Sequence, residues 1–165
     1  MYDFEHGLFD VYFELFMSGQ VGFGDYFQHF QSWLGGIEEQ KENILFLTYE
    51  EMVEDLRGSV VKIANFLGGS AARLVENEDI LDQIIDKSML KSMKNDQHRW
   101  FPSCFLNQTN FIRKGGSRDW KKHFSLEQSR RMDEKFNKKM SSTKAKDWWK
   151  VEMTWDDDEL NMKEN

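Results

Sequence analysis

Apolar residues Leu8, Tyr12, Leu15 and Phe16 recur at helical spacing and Gly19 follows where a helix would close, so the pattern predicts a helix from Leu8 to Met17. Asp25 then stands as an N-cap ahead of a second stripe, Phe27, Phe30 and Leu34, which Gly35 and Gly36 are expected to end. Ile44 to Leu47 is a short unbroken apolar run that enters acidic residues, the pattern of a strand buried on both faces and leading into a helix. Val60, Val61, Ala64 and Leu67 line one side of a further helix closed by Gly68 and Gly69, and Leu74, Leu81, Ile84 and Ile85 predict one or two more. Between Asn95 and Trp120 the periodicity fails, leaving about two dozen residues, a length at which an irregular segment is suspect or functional. Helix returns at Ser125, where Ser125, Leu126, Glu127 and Gln128 fit a capping box, and Met132, Phe136 and Met140 continue one stripe. Lys135, Lys138 and Lys139 are expected on its solvated face.

One doubly buried strand among many helices is an incomplete inventory, because its backbone needs neighbouring strands for hydrogen bonds. The pattern therefore implies one part of a larger α/β domain. A chain of 165 residues suffices for a single core, and the lone Pro102 and lack of repeats argue against an internal linker. After Trp155 the run "DDDELNMKEN" has almost nothing to bury, so the expected division is a domain over 1–142 and a polar acidic tail over 143–165.

Charge and composition narrow the partners. A net charge of −7 leaves no basic face for nucleic acid or an anionic membrane, so an anion site must be local, which suits a small charged ligand. Cys104 is alone and has no base near it in sequence, while His6, His29, His98 and His123 are scattered, which disfavours a disulfide, a metal and a cysteine nucleophile. The sequon at Asn107, Gln108 and Thr109 is read as chance. No apolar run approaches the roughly 20 residues that span a bilayer, and "MYDFEHGLFD" lacks a signal pattern, so a cytoplasmic protein is expected.

The chemistry gathers in "NFIRKGGSRDWKKHF", residues 110–124. Arg113 offers a planar donor fork, Lys114 a point charge, and Gly115 and Gly116 let backbone N–H groups approach an anion, a combination suited to phosphate. No GxxxxGK[ST] motif accompanies it, which disfavours a Walker-type NTPase.

Three stretches in this order and spacing, "LFLTYEEMVEDLRGSVVKIANFLG" (45–68), "KSMLKSMKND" (87–96) and "NFIRKGGSRDWKKHFS" (110–125), resemble the C-terminal half of the cytosolic sulfotransferases. The upstream "FELFMSGQVGFGDYFQHFQSWL" (13–34) resembles the same family. The resemblance implies an α/β, P-loop-like, three-layer sulfotransferase fold, present here as its mostly helical C-terminal half with one parallel-type strand. It implies 3′-phosphoadenosine 5′-phosphosulfate as co-substrate, and as acceptor a small phenol, alcohol or amine. Arg113, Lys114 and Gly115 then inherit contact with the 3′-phosphate, with Phe111 and Ile112 beside the adenosine. Tyr49 matches the tyrosine that contacts the adenine, and Lys87, Ser88 and Met89 match the family's Thr-Ser-Phe adenine contacts.

This sequence departs from the family in several places. Met89 replaces a flat stacking partner with a polarizable apolar one. Where the family usually has a second glycine, Arg118 either forbids a φ > 0 turn or adds a third cation to the phosphate pocket. The family's dimer motif corresponds to Lys121, Ser125, Leu126 and Arg130, so a homodimer through 121–130 would be weakened by the reversed charge at Arg130. The sulfonate-binding loop and the catalytic histidine of the family have no counterpart, so no residue here is assigned a catalytic role and the isolated chain is expected to be inactive. The alternative is a noncatalytic nucleotide-binding or protein-interaction module.

Overall fold

Side-chain caps set the helix starts. The Asp25 carboxylate accepts from the N–H groups of Phe27 and Gln28 at 2.8 and 3.1 Å and opens a helix spanning Tyr26–Glu39. In the computed structural model, which describes residues 7–96, 112 and 114–155, the helices are α1 (Phe9–Ser18), α2 (Tyr26–Glu39), α3 (Tyr49–Glu54), α4 (Leu56–Leu67), α5 (Gly69–Val75), α6 (Glu78–Ser88), α7 (Leu90–Asn95), α8 (Leu126–Met140) and α9 (Lys150–Met153). The chain divides into two compact units, Met1–Ile44 with Arg118–Asn165, and Leu45–Ser117.

The first unit packs aromatic rings between α1, α2 and α8. Phe13, Phe27, Phe30, Leu34, Phe136 and Met140 are buried. Phe27 meets Phe136 edge-on at 6.3 Å, and Phe13 meets Phe124 in the same way at 5.4 Å, geometries that favour ring quadrupoles as well as burying area. α1 closes on Gly19 in the left-handed conformation, φ 73, as its position in the sequence suggests. α2, by contrast, runs through Gly35 and Gly36 to Glu39. Interior glycine weakens a helix by about 1 kcal/mol without breaking it, and the stripe of Phe27, Phe30 and Leu34 is fully buried on the same helix. The Ser125–Gln128 capping box forms at the head of α8. Beyond α8 the described residues pack back onto this unit: Ala145 is completely buried, and Trp149 lies 5.5 Å from Phe30.

Lys135 is not on a solvated face. Its ammonium donates to the Met17 carbonyl at 2.8 Å, lies 3.1 Å from an Asp25 oxygen and sits over the Phe27 ring at 5.1 Å, with 13% of its side chain exposed. The long apolar stem allows a lysine at a stripe edge to turn inward when an acceptor waits there. Burial opposes ionisation of Asp25, but hydrogen bonds from Lys135 and from the Gln28 and Phe27 backbone outweigh it, and the carboxyl titrates below its ordinary value.

The second unit is a small helical cluster. Ala64, Val75 and Leu81 are its buried centre, with Val60, Val61, Ala71, Ile84 and Ile85 packed around them. Arg57 on α4 pairs with Glu78 and, at 2.6 Å, with Asp82 on α6. Ile44 to Leu47 form no strand, and no strand occurs among the described residues. These four residues are half-buried rather than buried on both faces. An extended apolar segment becomes a strand only when another backbone takes its N–H and C=O groups. The mostly helical character expected of this half of the fold is present, and the parallel strand is corrected to a non-helical connection entering α3.

Because the Asp25 pKa is depressed on folding, its stabilising effect is full above the unfolded value near 3.9 and is lost as pH falls through the folded value. Lys135→Met should therefore lower stability in urea unfolding by about 1–3 kcal/mol at pH 7, with the deficit narrowing below about pH 4.

Candidate functional site

Tyr49 is the first residue of α3, held there by a reciprocal cap in which Thr48 Oγ1 accepts from Glu51 N–H at 3.2 Å and Glu51 Oε2 accepts from Thr48 N–H at 2.9 Å. The backbone hydrogen bond from Thr48 is the main reason the Glu51 carboxyl titrates below its ordinary value. With the helix start fixed, the half-exposed Tyr49 ring carries its hydroxyl to Gly116, whose N–H donates to it at 2.9 Å. Sixty-seven residues of sequence separate the pair.

Lys87, Ser88 and Met89 lie at the junction of α6 and α7. Ser88 Oγ donates to the Ile84 carbonyl at 2.8 Å, within its own helix. Met89 is extended, φ −65 and ψ 143, and nearly half exposed, while Lys87 is exposed on the last turn of α6. Leu90, the next residue, is the point of contact: a Cβ on Gly115 would lie 2.8 Å from Leu90 Cδ2. Gly115 has φ 67 and Gly116 φ 104, conformations open to glycine and unfavourable for other residues.

The second unit thus brings together three distant pieces: Tyr49, the α6–α7 junction at Leu90, and the exposed Lys114–Gly116 turn. Ile112 is half-buried beside that turn in sequence. Phe111 and Arg113 lie outside the described residues. The sequence reading missed Leu90, which carries no polar group to mark it; its clue is adjacency to Met89.

The second unit ends at Ser117, and Arg118 opens the C-terminal part of the first. Arg118 adopts φ 64 and ψ 14, and among the described residues it is the one non-glycine with positive φ. It therefore makes the left-handed turn, at a cost of about 1–2 kcal/mol. Its Nη2 donates to the Thr154 carbonyl at 2.7 Å. Neither expectation for this position covers that use of its guanidinium.

The other candidate groups lie elsewhere. Among the described residues no cluster of His, Cys, Asp and Glu could hold a metal, and no helix is long and apolar enough to cross a membrane. His29 is on the exposed flank of α2, accepting from Trp33 Nε1–H at 3.1 Å, while His6, His98 and Cys104 lie outside the described residues. Leu126 and Arg130 are exposed on α8, and Ser125 caps it. A cavity of about 260 Å³ in the first unit is lined by Asp133, Phe136, Lys146 and Met153, and burial raises the Asp133 pKa above its ordinary value. A cleft of about 290 Å³ in the second unit is lined by apolar residues including Val60, Ile63, Leu67 and Leu74.

The family profile described as the Sulfotransferase domain matches residues 2–144. The chain belongs to the sulfotransferase family. This sulfotransferase chain is 35% identical over 144 residues to sulfotransferase 2B1 of Mus musculus, covering 84% of itself and 40% of that relative. It is 36% identical over 142 residues to sulfotransferase 1B1 of Canis lupus familiaris, covering 83% of itself and 46% of that relative. The chain spans less than half the length of these curated relatives. Among solved structures it resembles mouse sulfotransferase SULT7A1 complexed with PAP, with a TM-score of 0.72 and 28% identity, covering 88% of this chain and 52% of that one.

Backbone conformation at Gly115 supplies a direct test of the turn. Gly115→Ala should lower stability in urea unfolding by about 1–2 kcal/mol through φ strain. Leu90→Ala removes the contact but not the strain, so the double variant should remain less stable than Leu90→Ala alone.

Proposed function

We propose that this chain forms the nucleotide-gripping part of a sulfotransferase that transfers a sulfonate group from 3′-phosphoadenosine 5′-phosphosulfate to a hydroxyl or amine of a small acceptor. The observation that supports this reading most directly is the hydrogen bond from Gly116 N–H to the Tyr49 hydroxyl, with Gly115 set against Leu90. Tyr49, the α6–α7 junction and the glycine turn are the pieces that the family resemblance assigns to the adenine and the 3′-phosphate, and all lie in one unit. The mouse neighbour was solved complexed with PAP, which accords with that choice of nucleotide.

In this reading each residue does a separate physical task. Arg113 gives the 3′-phosphate a bidentate donor and Lys114 a charge, while the left-handed Gly115 and Gly116 keep Cβ atoms out of the anion's approach. Phe111, Ile112 and Met89 supply apolar surface for the adenosine, and Tyr49 and Ser88 supply polar edges. Lys87, exposed at the end of α6, contributes charge at the rim. The donor, when bound, supplies an activated sulfonate. The acceptor loses its proton to a base, and the sulfonate's bond to the phosphate oxygen breaks as the new bond forms. Those reacting atoms require a base and preorganised donors around the sulfonate, and the family resemblance places neither in these 165 residues. Binding remote from the reacting centre cannot replace stabilisation of the transition state.

Two measurements test the proposal. In this chain joined to the N-terminal half of a homologous sulfotransferase, Arg113→Ala should weaken binding of 3′-phosphoadenosine 5′-phosphate by roughly ten- to a hundredfold in calorimetry. Adenosine 5′-phosphosulfate, which lacks the 3′-phosphate, should bind almost as before; equal losses for both ligands would reject the assigned role. Residues 1–165 alone should give no sulfonate transfer from radiolabelled donor to phenols, alcohols or amines above a no-protein blank. Turnover that disappears on Arg113→Ala would place a catalytic group in this chain and overturn that part of the reading.

A further inference from the structure

We infer that the Tyr49 hydroxyl serves the anion end of the site: it accepts the Gly116 N–H and gives its own proton to the 3′-phosphate. The inference rests on the nucleotide reading above and refines it at one residue. The family resemblance sets this tyrosine against the adenine; here its ring still borders the adenosine, but its oxygen belongs to the phosphate.

Every group involved lies in the second unit. Lys114, Gly115 and Gly116 are exposed, and the two glycines are left-handed, at φ 67 and φ 104. Such a turn offers an anion its backbone N–H groups. One of these is already engaged, because Gly116 N–H donates to Tyr49 Oη at 2.9 Å. A phosphate arriving on that side of the turn meets the tyrosine oxygen where a bare glycine N–H would otherwise stand. The tyrosine is set there from its own backbone, as the first residue of a helix whose start is fixed by the Thr48–Glu51 capping box.

The chemistry of a phenol turns this engagement into an advantage. A hydroxyl has two lone pairs and one proton, so accepting a hydrogen bond leaves the proton to give. Among the described residues that proton has no acceptor. Accepting from an N–H also polarises the O–H and strengthens it as a donor. The hydroxyl therefore passes the donor capacity of Gly116 outward instead of consuming it. Tyr49 is 51% exposed, so a ligand can reach the proton. A phosphate gains a charge-assisted bond from it, roughly twice as strong as the neutral bond that adenine would gain, and this decides which end of the nucleotide the oxygen serves.

The test separates the two ends of the nucleotide in the 165-residue chain. Tyr49→Phe keeps the ring and removes the oxygen, whereas O-methyltyrosine placed at Tyr49 keeps the oxygen as an acceptor and removes the proton. Calorimetry reads binding of 3′-phosphoadenosine 5′-phosphate and of adenosine 5′-phosphosulfate, and amide hydrogen exchange reads Gly116 without ligand. Tyr49→Phe should bind the 3′-phosphate ligand roughly ten- to a hundredfold more weakly and the other within about threefold of the native chain. Its Gly116 exchange should be about two- to tenfold faster, the scale of one neutral hydrogen bond. The O-methyl chain should show the same loss of affinity with Gly116 exchange near the native rate. Equal losses for both ligands return the hydroxyl to the adenine and overturn the inference. Native affinity in the O-methyl chain also overturns it, since the oxygen then only braces the turn. A native chain that binds neither ligand, or both equally, rejects the nucleotide reading and this inference with it. A native preference for the 3′-phosphate ligand that Tyr49→Phe retains rejects the inference alone.

Discussion

A buried ammonium group needs acceptors, and in the first unit Lys135 finds them in the Met17 carbonyl at the end of α1 and the Asp25 carboxylate at the head of α2. One cation on α8 thereby ties together the two helices that precede it by more than a hundred residues. The aromatic pairs Phe27–Phe136 and Phe13–Phe124 of the same unit give area, but rings alone tolerate sliding. The lysine fixes the register because its partners are single atoms at helix ends. Asp25 serves twice, with one oxygen capping α2 and the other facing Lys135.

Helix starts marked by caps were the most legible part of the fold. Asp25 and Ser125 each carry their reason in the local sequence, as does Gly19 at the close of α1, since a cap is a contact between residues a few positions apart. The extent of α2 was not legible, because Gly35 and Gly36 look like a stop until the burial of Phe27, Phe30 and Leu34 is weighed against them. Lys135 was misread for a related reason: its acceptors lie far away in sequence. The run Ile44–Leu47 has strand-like side chains, but a strand is a relation between backbones, and among the described residues this one takes part in no ladder.

The candidate site divides in the same way. The residue types suited to phosphate were visible as a cluster at Arg113–Gly116, and a resemblance supplied Tyr49 and the 87–89 segment. The hydrogen bond that joins Tyr49 to Gly116 and the contact that seats Gly115 on Leu90 belong to tertiary structure. Neither has a local signature, since the hydroxyl accepts from a backbone group that every residue but proline possesses. Arg118 is the position where local reasoning offered two outcomes and the protein adopted a third, making the turn and sending its guanidinium to a backbone carbonyl.

That use of Arg118 has an evolutionary consequence. A glycine in a left-handed turn can mutate to arginine without loss only if something already compensates, so the contact with Thr154 and the residue at 118 are epistatic. A change that removed the Thr154 contact would then cost more with arginine at 118 than with glycine there, since only the arginine bears the strain of the turn.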